Sequence, residues 1–288
     1  MKKVLVTGGN GQLGSEIRAL ALQFPSFHFH FTDHEELDIT DQKAVTHFFK
    51  KDKWDILINC AAHTAVDKAE TEQERAFAIN ARAAETLALA AKSHQCQFVH
   101  ISTDFVFDGT KSFPYDEGDS TNPLSVYGAS KAEGERLVQQ ANDAAMIIRT
   151  SWVYSSFGTN FVKTIMRLCR ERDTLQVIAD QVGTPTYARD LAFAILSILE
   201  KEASAAGVYH FSNEGVASWY DFAIAIRDFS GLKTTIAPIS TTQYPTPAIR
   251  PKYSVLNKQK IKLRFGITIP YWRESLKECI DQIIAQHA

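Results

Sequence analysis

Cysteine is scarce, and the four that occur, Cys60, Cys96, Cys169 and Cys279, stand far apart with no Cys-x-x-Cys pair. That spacing argues against a disulfide framework and supplies no zinc-ligand pattern. It points to reduced thiols, as in a cytoplasmic protein. No apolar run approaches the roughly 18 residues of a membrane span. The start Val4-Leu5-Val6, after Lys2 and Lys3, is too short for a signal peptide and reads as a first strand. Charge of one sign is lacking too. The formal net charge of −2 leaves no basic footprint for nucleic acid. Repeats and low-complexity segments are absent. What remains, 45% hydrophobic and 22% charged residues, is the composition of a soluble globular protein without a membrane or nucleic-acid partner.

Short apolar runs alternate with helical patterns, which predicts βαβ units and a doubly wound parallel Rossmann sheet. Strands are expected at 4–6, 27–31, 55–59, 97–101, 146–149 and 208–211. Helices are expected at 12–23, 41–50, 80–94 and 126–140. The Gly-, Pro- and Asp-rich stretch from Phe107 to Pro123 reads as a long surface loop. After Tyr154 the pattern loosens, with helices expected at 161–172, 189–201, 218–229 and 271–287. The division this suggests is a nucleotide-binding domain of residues 1–154 and 186–212. A smaller, discontinuous C-terminal substrate lobe then takes 155–185 and 213–288.

Gly8, Gly11 and Gly14 follow the first strand and open the first helix. Glycines there permit a tight turn and close approach of a pyrophosphate, to which the helix N-terminus offers free N–H groups. The plain alternative is a tight structural turn. Asp33 lies just past the second strand, where a carboxylate can accept from adenosine ribose hydroxyls. It could equally be a solvated acid beside Glu35 and Glu36, so NADH and NADPH both stay open as cofactors.

Tyr127 and Lys131 form Tyr-x-x-x-Lys on a helix, on one face. A free phenol has a pKa near 10, and a lysine cation beside it favours the phenolate. The pair can thus hold and return a proton. Thr103 ends the fourth strand, at the carboxyl edge where open α/β sheets place ligands. Each feature alone has a plainer reading as an exposed pair or a turn residue. Together with the glycine turn they point to hydride transfer.

The stretches Thr7 to Gly14 and Tyr127 with Lys131 resemble the extended short-chain dehydrogenase/reductases. Narrower stretches resemble the dTDP-4-dehydrorhamnose reductase family: Asn59-Cys60-Ala61-Ala62-His63-Thr64-Ala65-Val66-Asp67-Lys68-Ala69-Glu70, Ser102-Thr103-Asp104-Phe105-Val106-Phe107-Asp108-Gly109, Arg149 to Tyr154, Asp180 to Thr186 and Arg250 to Ser254. The resemblance implies reduction of the C4 ketone of a dTDP-4-keto-6-deoxy sugar. It implies Gly8, Gly11, Gln12, Leu13, Gly14, Asp38, Ile39, Ala62, His63 and Thr64 at the cofactor. Thr103, Asp104, Trp152 and Arg250 would face the substrate. Tyr127 would be the proton donor, with Lys131 lowering its pKa and holding the nicotinamide ribose. Magnesium-linked homodimers occur in the family. Glu16 is a candidate acid for such a site, but Asp190 stands where a glutamate is expected, so no metal ligands are assigned.

The acids Asp67, Glu70, Glu72 and Glu74 read as a solvated helix face. Two rival functions stay open at this point. A sugar-nucleotide 4,6-dehydratase resembles the same glycine turn and Tyr-x-x-x-Lys, but carries an Asp-Glu pair where Asp104 is followed by Phe105. A non-catalytic, nucleotide-binding regulatory subunit would not need Thr103, Tyr127 and Lys131 together.

Overall fold

A computed structural model describes residues 1–202 and 204–286. In chain order its strands are β1 (Lys2–Thr7), β2 (Phe27–Thr32), β3 (Ile56–Asn59), β4 (Gln97–Thr103), β5 (Met146–Thr150), β6 (Val153–Tyr154), β7 (Thr174–Ile178), β8 (Val182–Gly183), β9 (Thr186–Tyr187), β10 (Gly207–His210), β11 (Ala217–Ser218) and β12 (Thr235–Ile239). The helices are α1 (Gln12–Leu20), α2 (Gln42–Lys51), α3 (Val66–Ala69), α4 (Gln73–Phe77), α5 (Ala83–Ser93), α6 (Val126–Ala141), α7 (Phe161–Glu171), α8 (Ala188–Lys201), α9 (Trp219–Phe229), α10 (Gln259–Phe265) and α11 (Trp272–Ala285). No helix among the described residues is long and apolar enough to cross a membrane. The last residue of the helix expected at 271–287, His287, lies outside the described residues.

The central sheet has the order β10-β5-β4-β3-β1-β2 and every pairing in it is parallel. Its strands carry apolar residues toward both faces, as a parallel sheet covered on both sides requires. Val4 and Val6 pack with Ile17 of α1 and Leu191 and Ile195 of α8. Leu5 points the other way, with Val45 of α2, Leu87 of α5 and Val138 of α6. A third apolar cluster joins α7, α9 and α11 around Phe222, which is fully buried. β7 and β12 form a separate parallel pair, and Pro238 is tolerated in β12 because β7 is its only partner in that sheet.

Several elements depart from the sequence expectation. The helix expected at 80–94 begins at Gln73 and passes through a π-turn over Ala78–Arg82 before α5. The stretch expected as a surface loop buries Phe107 and Tyr115, which stack with centroids 4.2 Å apart. The division expected from the sequence puts residues 259–269 in the substrate lobe. In the structure Ile261 and Ile269 belong to the cluster on the central sheet, and Phe265 packs 5.0 Å from Tyr209 of β10.

Candidate active site

The strand order reverses direction between β1 and β3, so the connections leaving their carboxyl ends run opposite ways and leave the crevice where doubly wound sheets bind ligands. The glycine turn sits there. Gly8 has φ +68, and a Cβ on it would lie 2.7 Å from the Ala61 backbone nitrogen. A Cβ on Gly14 would lie 2.5 Å from the Gly8 carbonyl oxygen. These two glycines are required by the protein's own packing. Gly11 differs: a Cβ there meets only the Gly8 oxygen, at 3.2 Å. It is the N-cap of α1 and supplies no side-chain cap, so no cap side chain takes up the first N–H groups of the helix. Such a cradle fits the diphosphate of a dinucleotide. Asp33 accepts from the Asn10 N–H at 3.2 Å and stands beside this turn.

Other residues assigned to the cofactor are already engaged with the protein. The Leu13 and Ile39 side chains are core, so only their backbone can meet a ligand. Asp38 accepts from the Thr40 N–H and hydroxyl, which hold its carboxyl below the usual range. The Gln12 side-chain oxygen accepts from Asn160 at 3.0 Å. Ala62 is half-buried and Thr64 exposed. The His63 N–H donates to Asn80 at 2.8 Å, and its Nε2 lies 3.2 Å from Glu72.

At the end of β4 the structure brings together Thr103, Asp104 and Tyr127. The Thr103 hydroxyl donates to Asp104 Oδ1 at 3.1 Å, and the Tyr127 phenol lies close enough for both residues to act on it. Asp104 Oδ2 is buried without a hydrogen bond. Burial pushes this carboxyl up to about 6, against opposing interactions with Ser254 and Thr103. Tyr127 sits near the start of α6, which Ser125 caps by accepting from the Gly128 N–H. Burial, with the Asp104 charge adding to it, raises the phenol to about 12, although Thr103 opposes the shift. Lys131 was expected to lower that value. Instead its ammonium donates to the Ile101 carbonyl at 2.6 Å and lies 3.4 Å from His100 Nε2. Burial outweighs any help it gives the phenolate in the free protein.

Two residues assigned to the substrate have unexpected partners. Arg250 grips both carboxylate oxygens of Asp67, at 3.0 and 2.8 Å. Trp152 has φ +47, a strained conformation for an indole-bearing residue. Its ring lies flat on Trp219, with centroids 3.6 Å apart. The acid cluster is no idle solvated face. Asp67 ties α3 to Arg250, Glu70 accepts from the Val126 N–H at 2.9 Å, and Glu72 reaches His63. Sequence reasoning missed Trp219, Asn80, Ser254 and His100, whose relevance depends on elements distant in the chain.

Comparison with known proteins fits this geometry. The family described as RmlD substrate binding domain matches residues 1–285. The chain belongs to that family. The Aggregatibacter actinomycetemcomitans dTDP-4-dehydrorhamnose reductase is 43% identical to it, covering 96% of this chain and 98% of its own. A crystal structure of a Clostridium acetobutylicum dTDP-4-dehydrorhamnose reductase superposes with TM-score 0.94 at 45% identity, covering 98% of this chain and 99% of the other. The Bacillus anthracis dTDP-4-dehydrorhamnose reductase, solved in complex with NADP, superposes with TM-score 0.93 at 38% identity and the same coverage.

The acids that the resemblance brings in for magnesium are already engaged within this chain. Glu16 is fully buried, but one of its oxygens accepts from Ser155 at 2.6 Å. The other faces the Arg189 guanidinium at 3.6 Å, and Arg189 also lies 3.6 Å from Glu278. A cation of the protein's own occupies the space between those carboxylates. Asp190 is held by Asn213 and Ser275, each at 2.6 Å. Among the described residues no group of three or more potential metal ligands converges.

Proposed function

We propose that this protein reduces the C4 ketone of dTDP-4-dehydro-L-rhamnose to dTDP-L-rhamnose, with NADH or NADPH as reductant. The observation that carries the reading is the convergence of Thr103, Tyr127 and Lys131 beside the glycine cradle, in a chain of this family. Hydride for the carbonyl carbon comes from the reduced nicotinamide when it is bound. The residues that would hold the cofactor are Gly8, Gly11 and Gly14, the N-terminal backbone of α1 at Gln12 and Leu13, Asp33, Asp38, Ile39, Ala62, His63 and Thr64, with Tyr127 and Lys131 at the nicotinamide end.

The protein's own part is proton supply and orientation. A phenol raised to about 12 stays protonated at neutral pH, as a donor to a forming alkoxide must. Thr103, which donates to the Asp104 carboxyl, stands beside that phenol, so donor, hydroxyl and acid are gathered at one point. Trp152, on its Trp219 support, would wall the sugar, and Arg250 would approach it from the Asp67 side. Residues 155–185, 213–258 and 270–286 would form the substrate lobe, with 259–269 reassigned to the nucleotide domain. Four cysteines without disulfides agree with a cytoplasmic location.

Phe105 argues against the dehydratase reading. Its ring meets Tyr127 edge-on at 5.5 Å, so the position that would need an acid presents hydrocarbon. The test is turnover of dTDP-4-dehydro-L-rhamnose with each reduced cofactor, followed by loss of absorbance of the nicotinamide. Consumption of cofactor with formation of dTDP-L-rhamnose is expected. Binding of both without turnover would instead favour a regulatory subunit.

A further inference from the structure

A line of buried polar side chains runs under the sheet edge from β1 to α6, and one member has no role in the mechanism above. The Thr7 hydroxyl donates to Asn59 Oδ1 at 2.7 Å, and the Ala61 backbone N–H donates to the same oxygen at 3.2 Å. A backbone N–H can only donate, so the Asn59 amide has its oxygen on that side and its NH2 on the other. The NH2 faces His100 Nδ1 at 3.1 Å. His100 Nδ1 must therefore accept. His100 is fully buried, and burial, with the Lys131 charge adding to it, keeps it neutral well below the usual histidine range. A neutral imidazole carries one proton, and with Nδ1 accepting, that proton sits on Nε2. The Nε2–H points at Lys131 Nζ, 3.4 Å away.

A donor aimed at an ammonium is mismatched, whereas an amine can accept it through its lone pair. We propose that His100 is a positioning residue for Lys131, its tautomer locked by Asn59 so that its N–H favours the lysine amine and keeps Lys131 exchanging between amine and ammonium. The charge on Lys131 favours ionisation of the neighbouring phenol, so His100 governs, through the lysine, how readily Tyr127 parts with its proton.

The groups on the surrounding elements act as follows. β4 presents His100, and the turn after it presents Asp104, which acts on Tyr127. α6 adds Glu135, whose charge favours the ammonium. Glu70, the residue after α3, is already bonded to the Val126 N–H, and the π-turn presents neutral Asn80, bonded to Ser130. Lys131 is brought down to about 8, chiefly by burial, in keeping with the mismatch. His210 is the internal contrast. Its Nδ1 lies 3.1 Å from the Tyr115 carbonyl, which can only accept, so there the proton sits on Nδ1.

The first test needs no substrate. In nitrogen-15 spectra of the cofactor-free protein labelled at histidine, two rings should stay neutral on acidification. One should carry its proton on Nε2 and the other on Nδ1. If both carry it on Nδ1, the proposal is overturned. The second test rests on the reductase reading. In the wild type the alkaline limb of kcat/KM should report Lys131. His100→Phe, which keeps the shape and removes the N–H, should move that limb upward by about one pH unit, and His100→Gln, whose amide can accept from Asn59 and donate to Nζ, should move it back. An unmoved limb in folded His100→Phe overturns the proposal. Should that variant fail to fold, the tautomer measurement on the wild type decides. Absence of wild-type turnover counts against the reductase reading alone.

Discussion

Lys131 and Glu135 stand one helical turn apart on α6, and their surroundings are opposites. Glu135 receives the Arg149 Nε at 3.0 and 3.1 Å and Nη2 at 2.7 Å, together with the Ser102 hydroxyl. Arg149 in turn donates to the Glu117 carbonyl at 3.4 Å. Both side chains of this pair are almost fully buried, and donors meet acceptors throughout. Around Lys131 the matching breaks down. An N–H faces an ammonium, Asp104 Oδ2 has no hydrogen bond, and the phenol of Tyr127 is pushed up by burial and a nearby carboxylate. The matched cluster holds α6 to the sheet. The mismatched one keeps groups near the point of proton exchange, which stability alone would not favour.

The largest expected effect breaks the matched side. Arg149→Met leaves Glu135 buried without its cation, and loss of one partner of a buried pair typically costs about 3–5 kcal/mol. Denaturant unfolding should show that loss, while the fraction that remains folded keeps its turnover. If Arg149→Met is as stable as the wild type, the pair does not hold α6 in place.

Next in size, Tyr127→Phe breaks the mismatched side. Removing a positioned acid should lower kcat by roughly a hundredfold or more. The unfolding midpoint should stay where it is, because phenylalanine keeps the ring and its edge-on contact with Phe105, and cofactor affinity should hold. A variant that turns over near the wild-type rate removes Tyr127 as the proton donor.

The contrast between the clusters also explains what the sequence could and could not disclose. The glycine turn and Tyr127 with Lys131 were legible because each is a local pattern: a strand running into glycines, and a helical spacing that puts two side chains on one face. His100 was not, since its meaning depends on Asn59 of β3, Ala61 and Lys131 of α6, which only the fold places in line. Trp152 was legible as a site residue through resemblance, but its flat stack on Trp219 and its positive φ were not. The acids from Asp67 to Glu72 looked solvated because their partners, Arg250, the start of α6 and His63, lie on other segments. Among elements, α10 escaped notice because Lys-Ile-Lys-Leu-Arg-Phe alternates with the period of a strand. Gly266, left-handed at its end, was the stop signal that could have marked a helix.

The smallest of these effects concerns Asp104, and it separates the clusters by pH rather than by mutation alone. The carboxyl is 2% exposed and is raised from 3.8 to about 6 in the folded protein, by burial first. Between those values the folded state binds more protons than the unfolded state, so stability falls as pH rises. The favourable contribution is fully present below about 4, is lost as pH passes through 6, and is flat above that. The span corresponds to an amount on the order of 3 kcal/mol. Asp104→Asn cannot titrate, so subtracting its unfolding free energy from that of the wild type at each pH isolates the term. Any constant cost of an unpaired amide cancels from the slope. The difference should fall from pH 4 to pH 6 and then level off, whereas parallel curves for the two proteins would mean that Asp104 ionises in the folded state as it does in the unfolded chain.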